Sequence, residues 1–135
     1  HTDETFPVER WQRYASPVWV TRETVDDEGF MTCIGKTTPD DDSTINPSDT
    51  LQYMSARENE DERHICPLAL SVIRRCLALW TNPDDVVLSP FAGIGSEGYV
   101  ALDMKRRFVG CELKESYYRQ SVRNLQNAGR QMRMF

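Results

Sequence analysis

Three glycines within six residues, Gly93-Ile94-Gly95-Ser96-Glu97-Gly98, constrain this chain more than any other feature. They follow the apolar run Val86-Val87-Leu88 and precede a helical pattern, so the spacing predicts a strand, a tight turn and a helix from about Ser96 to Met104. A short, continuously apolar strand is what the inside of a parallel sheet requires. RFVGCE, Arg107 to Glu112, reads as a second strand. KESYYRQSVRNLQNAG reads as a closing helix, with Tyr118, Val122 and Leu125 on one stripe and Gly129 as its stop. Ahead of these lies CPLALSVIRRCLALW. Pro67 stands near its helix start, Leu70, Ile73, Cys76, Leu77 and Trp80 form a stripe, and Arg74 and Arg75 lie off it. The order helix, strand, helix, strand, helix predicts an α/β fold: a βαβ unit in a parallel sheet with helices on both faces.

The glycine pattern matches G-x-G-x-x-G, and Glu112, at the end of the second strand, lies 19 residues beyond Gly93. In nucleoside binders such glycines let a ligand approach the backbone, and a carboxylate at the second strand tip accepts hydrogen bonds from ribose hydroxyls. The same glycines also serve a tight turn that binds nothing. Two ligands fit the skeleton, a dinucleotide or S-adenosylmethionine. A pyrophosphate seats on a helix N-terminus, where Glu97 would oppose it. Glu97 is less of an obstacle to a ligand carrying sulfonium and ammonium groups. Pro90-Phe91 ahead of the glycines also departs from the dinucleotide fingerprint. The charge argument ranks the two ligands and leaves both open.

At 135 residues the chain fits one domain or part of a larger one. The net charge of −5 hides a split. Residues 1–63 hold six basic and fifteen acidic side chains, a net −9, and residues 64–135 hold ten and six, a net +4. The C-terminal arginines, among them Arg106, Arg107, Arg119, Arg123, Arg130 and Arg133, are candidates to face phosphates or to be solvated helix faces. No stretch resembles a membrane span or a secretory signal. Cys33, Cys66, Cys76 and Cys111 lack C-x-x-C spacing, so reduced thiols in a cytoplasmic protein are expected, with no metal site. Two parts are expected: an irregular acidic segment over 1–63 with a mobile surface loop, and a cofactor-binding βαβ portion over 64–135. Within the first, FPVERWQRYASPVWV reads as extended and partly buried. Asn46 to Asp49 reads as a helix entry, with a short polar helix from Thr50 to Glu60.

The stretch NPDDVVLSPFAGIGSEGYVALDMKRRFVGCELKESYYRQSVRNL resembles the C-terminal segment of S-adenosylmethionine-dependent DNA amino-methyltransferases, the N6-adenine/N4-cytosine class. In the order-permuted group of that class, a helix with a KPL-type start precedes a DPFAGSGTTG-type loop. An RRFIGIE-type strand and a helix with aromatic and Arg residues follow. The matching segments are HICPL (His64 to Leu68), SPFAGIGSEG (Ser89 to Gly98) and RRFVGCE (Arg106 to Glu112). Phage and prophage members look most alike and share FPVERWQRYASPVW. The resemblance is strong over His64 to Leu125 and looser over Phe6 to Trp19.

The resemblance implies a Rossmann-like methyltransferase fold, incomplete in this chain, with S-adenosylmethionine as cofactor and DNA as partner. It implies that Pro90, Phe91, Ala92, Gly93 and Gly95 wrap the methionine and ribose side, with Ser89 also at the cofactor site. Glu112 would bind the ribose hydroxyls, Leu113 would pack on the adenine, and His64, Cys66, Pro67 and Leu68 would line the methionine end. Two residues depart from the pattern. Ser89 stands where Asp is more common, which removes a carboxylate partner for the cofactor's ammonium group. Cys66 stands where Lys is common.

Methylating an exocyclic amine also requires the amine to be held while it becomes tetrahedral, and the flipped base to be stacked. The class does this with an Asp/Asn/Ser-Pro-Pro-aromatic motif. Ser16-Pro17-Val18-Trp19 keeps the hydroxyl, the first proline and the aromatic but has Val18 for the second proline. The expectation is therefore the cofactor-binding half of a longer or truncated enzyme, which self-associates or pairs with a missing N-terminal half. The alternatives are an NAD-binding oxidoreductase module and a non-catalytic phage accessory domain that binds DNA or a protein.

Overall fold

A computed structural model describes residues 6–15, 23–25, 31–33, 45–52 and 67–131. They fall into two units, 1–49 and 50–135.

In the first unit, α1 spans Val8–Tyr14. This corrects the extended reading of FPVERWQRYASPVWV. Pro7 is the N-cap, and its carbonyl accepts the Arg10 and Trp11 amides at 3.0 Å each. Proline costs nothing there, because the first amides of a helix lack internal partners in any case. Glu, Arg and Gln between Pro7 and Pro17 are good helix formers, so the prolines bracket a helix rather than forbid one. Tyr14 is buried and meets Phe6 edge-on, with centroids 5.6 Å apart, while Trp11 stays half exposed. Strands β1 (Glu23–Val25) and β2 (Met31–Cys33) pair antiparallel, with Thr24 opposite Thr32. The Asn46 to Asp49 segment is an Asx turn, the Ser48 amide donating to Asn46 Oδ1 at 2.9 Å. Residues 50–52 are not helical. The rest of the expected 50–60 helix, and Ser16 to Trp19, lie outside the described residues.

The second unit contains α2 (Leu70–Trp80), β3 (Val86–Ser89), α3 (Ser96–Asp103), β4 (Arg107–Gly110) and α4 (Glu115–Gln131). β3 and β4 pair in parallel, Val86 opposite Arg107 and Ser89 opposite Gly110, with α3 as the crossover. This is the α/β arrangement expected, a small parallel sheet with flanking helices. The core joins Leu70, Ile73 and Leu77 of α2 to Val100 and Ala101 of α3, with Val87 and Phe108 of the sheet packed against it. Strand side chains alternate between faces. Val86, Leu88 and Val109, on the other face, are each more than half exposed. Among the described residues the helices therefore gather on one face, not on both, and β3 is covered on one side only.

Three further expectations are corrected. Cys76 and Trp80 are exposed, so the α2 stripe is narrower than read, whereas Arg75 is buried. Arg75 lies about 200° around the helix from Ile73, so α2 is covered on two sides. The helix α4 runs through Gly129 instead of stopping there. Its buried face is Gln120, Ser121, Asn124 and Ala128, while Tyr118 is exposed. The inward stripe is small or polar because α4 packs on a glycine and a loop carbonyl. A Cβ on Gly95 would sit 3.0 Å from Ser121 Cβ. Asn124 Nδ2 donates to the Ile94 carbonyl at 2.8 Å, and Gln120 Nε2 donates to Asn124 Oδ1 at 3.0 Å.

The sheet's other end is stapled by Arg106. Its guanidinium donates to the carbonyls of Thr81 (2.8 Å) and Met104 (2.6 Å) and to Thr81 Oγ1 (3.1 Å). Those two carbonyls lie at the ends of α2 and α3, where main-chain acceptors lack helical partners. Burial lowers the Arg106 pKa from its ordinary value and Asp85 partly offsets this. The α3 terminus is a Schellman turn: the Arg106 amide reaches Ala101 O (2.7 Å), the Lys105 amide reaches Leu102 O (2.9 Å), and Lys105 has φ +62°. Among the described residues no helix is long and apolar enough to cross a membrane.

Two substitutions test this packing. A Cβ on Gly98 would lie 2.6 Å from the Phe108 ring and 2.7 Å from Leu125 Cδ2. Gly98→Ala is expected to destabilise the protein by about 1–3 kcal/mol through overpacking, read from urea unfolding. Asn124→Ala leaves the Ile94 carbonyl without that donor and is expected to cost about 1–3 kcal/mol in the same measurement.

Candidate functional site

The site begins where the ladder of β3 and β4 runs past its strands. The Cys111 amide donates to Ser89 O (2.9 Å), and the Ala92 amide donates to Cys111 O (2.8 Å). Pro90 and Phe91 are thereby looped outward between two fixed points, and both are exposed. Phe91 is 87% exposed, which is unusual for a phenylalanine next to a core. The chain then turns through Gly93 (φ +52°) and Gly95 (φ +83°), backbone conformations that a side chain disfavours. The Gly95 amide closes the turn on Ala92 O at 2.7 Å, and α3 starts at Ser96.

Glu112, just beyond β4, folds back onto this turn. Its Oε2 accepts the Gly93 amide and its Oε1 accepts the Lys114 amide, both at 2.8 Å. A carboxylate oxygen has two acceptor sites, so each retains one. Leu113, next in sequence, is fully exposed. A Cβ built on Gly93 would meet nothing within 4 Å, so the backbone there faces open space.

That space is a shallow cavity of about 170 Å³, lined by Pro67, Leu68, Phe91, Ala92, Gly93, Ile94, Ser96, Glu97 and Tyr117. It is smaller than the ~300–1,000 Å³ of ordinary ligand pockets, so it has room to enclose only part of a ligand of ordinary size. Lys114 Nζ stands 4.5 Å from the Tyr117 ring centroid, a cation–π contact that steadies this wall.

Of the residues singled out from sequence, Pro67, Leu68, Phe91, Ala92 and Gly93 meet in the cavity, and Glu112 is tied to its Gly93 wall. Ser89 is buried and does not line it, and Gly95 is packed beneath Ser121. His64 and Cys66 lie outside the described residues. Sequence reasoning missed Ile94, Ser96 and Tyr117 as lining residues. Ile94 and Ser96 carried a usable signal, since they sit inside the glycine pattern itself. Tyr117 did not, because only the phase of α4 distinguishes it from the exposed Tyr118.

The N6/N4 family model described as DNA methylase matches residues 3–123. The type II methyltransferase M.BglII of Bacillus subtilis is 35% identical over 74 residues, 53% of this chain and 21% of the relative. The putative methylase YubD of Escherichia coli (strain K12) is 43% identical over 81 residues, 60% of this chain and 34% of the relative. The chain thus spans between about a fifth and a third of the length of these curated relatives. Among solved structures, the M1.HpyAVI–SAM complex is 30% identical with a TM-score of 0.43, covering 44% of this chain and 31% of that one. With the family model matching most of its length, the chain belongs to the N6/N4 DNA methylase family.

Proposed function

We propose that the chain binds S-adenosylmethionine and serves a DNA amino-methyltransferase acting on adenine N6 or cytosine N4, as its cofactor-binding portion. The observation that carries this reading is the Glu112 carboxylate, turned over the glycine loop with an acceptor site left on each oxygen. The open space above Gly93 fits a ligand that approaches the main chain.

Glu112 would accept hydrogen bonds from the two ribose hydroxyls. Leu113 and Phe91, exposed apolar side chains, would cover the adenine faces. Pro67, Leu68, Ala92 and Gly93 would surround the methionine end, with His64 and Cys66 joining them by family likeness. Ser89, Pro90 and Gly95 would act through shape, holding the turn against the sheet and α4. Bound S-adenosylmethionine supplies an electrophilic methyl group. The residues named above would orient it. The DNA partner and a cytoplasmic location follow from the same reading.

A dinucleotide fits less well, since the half-buried Glu97 carboxylate stands in the cavity wall and opposes a pyrophosphate.

Calorimetric titration separates the two ligands. S-adenosylmethionine is expected to bind and NADH is not; a response to NADH alone overturns the proposal. Glu112→Gln is expected to weaken S-adenosylmethionine binding about tenfold or more, because a charged acceptor of hydroxyl hydrogen bonds is lost. Incubation with labelled S-adenosylmethionine and duplex DNA reads catalysis itself. Labelled adenine or cytosine assigns the full activity to the chain, and binding without transfer assigns it the cofactor portion.

A further inference from the structure

Glu97 is the acid in the lining of an otherwise uncharged cavity. Pro67, Leu68, Phe91, Ala92 and Ile94 offer it apolar surface, and it is half-buried. Among the described residues its carboxylate has no hydrogen bond or ion pair, although basic residues are plentiful in this half of the chain. Half-buried carboxylates usually find a partner, because leaving water without one costs free energy. Glu97 stands in the first turn of α3, so the cavity lining carries one acidic side chain and no basic one.

The other two candidates are less suited to holding a cation, Glu112 because its remaining acceptor sites are assigned to the ribose hydroxyls. Glu112 is tied by both oxygens to the Gly93 and Lys114 amides. Ser89 carries no charge, is buried and does not reach the cavity. Resting on the cofactor reading above, we infer that Glu97 binds the α-ammonium group of the amino-acid end of S-adenosylmethionine, doing from α3 what an acid at position 89 would do from β3. The sulfonium has no hydrogen to donate, whereas the ammonium has three. A carboxylate in an apolar wall therefore discriminates by the amino group. The same charge repels a pyrophosphate, so one residue both attracts the amino acid and excludes the dinucleotide.

The test uses three probes on the wild-type chain and on Glu97→Gln, a near-isosteric change that removes only the charge: S-adenosylmethionine, S-adenosylhomocysteine and 5′-methylthioadenosine. The homocysteine compound keeps the ammonium and lacks the sulfonium; the thioadenosine lacks the amino acid altogether. Glu97→Gln is expected to weaken the first two about tenfold each and leave the third unchanged. Glu97→Asp, which retains the charge, is expected to recover part of the loss. A loss confined to S-adenosylmethionine would move the contact to the sulfonium and overturn the inference. So would equal losses for all three probes, or no loss. If the wild-type chain binds none of the probes, the cofactor reading falls and this inference falls with it. Unchanged S-adenosylmethionine binding in the variant defeats this inference alone.

Discussion

One carboxylate shared by two backbone amides organises the second unit. Glu112 bridges Gly93, in the turn after β3, and Lys114, at the entry to α4. Hydrogen bonds from amides to a charged acceptor are among the stronger ones available to a protein. These two close a ring through both ends of the sheet's open side. With them in place, the ladder extends past β3 and β4 through Ser89, Cys111 and Ala92, and Phe91 is forced outward. The glycine turn is held at its start by Glu112 and in its middle by Asn124 of α4. The carboxylate proposed to grip the ribose is thus also a structural clasp between the turn and the start of α4.

The glycine loop, both strands of the parallel pair and the helices around them were legible because each leaves a local mark. Apolar runs, glycines and turn residues fall at fixed offsets from one another. The distance from Gly93 to Glu112 was equally informative, since a strand tip and a turn in one βαβ unit must converge. Burial was less legible. Val86 and Leu88 look like inner-strand residues, but their burial depends on what lies across the sheet, which no local pattern records. The inward face of α4 misled for the opposite reason. Gln120, Ser121 and Asn124 look like a solvent face, yet they are buried because their partners are a glycine and a main-chain carbonyl. In α1, an extended reading of the segment gives way to a helix that starts directly after Pro7.

Charge counting was a poor guide to a phosphate-binding face. The C-terminal half has an excess of basic residues, but several are committed within the protein. Arg74 pairs with Asp103 at 2.7 Å, Arg106 serves two helix ends, and Arg107 Nε donates to Asp84 O at 3.0 Å. Arg119 lies against Glu115 one turn away on α4. Exposed pairs of this kind contribute little to stability, but they hold side chains that a net charge treats as free for DNA. The acid in the cavity wall, by contrast, has no ion-pair partner among the described residues.

The Arg106 staple has a consequence for how the second unit gives way. Beneath β4 the chain is cross-braced, with two helix ends, a left-handed lysine and the start of the strand converging on one guanidinium. At the opposite rim the turn is held by Glu112, by Asn124 and by the Ala92 amide on the Cys111 carbonyl, beside a phenylalanine that solvent can reach. Local opening of such a frame starts where solvent reaches it, as the lid of a box lifts before its hinge fails. The loop can therefore yield to an incoming molecule while the strands beneath it keep their pairing.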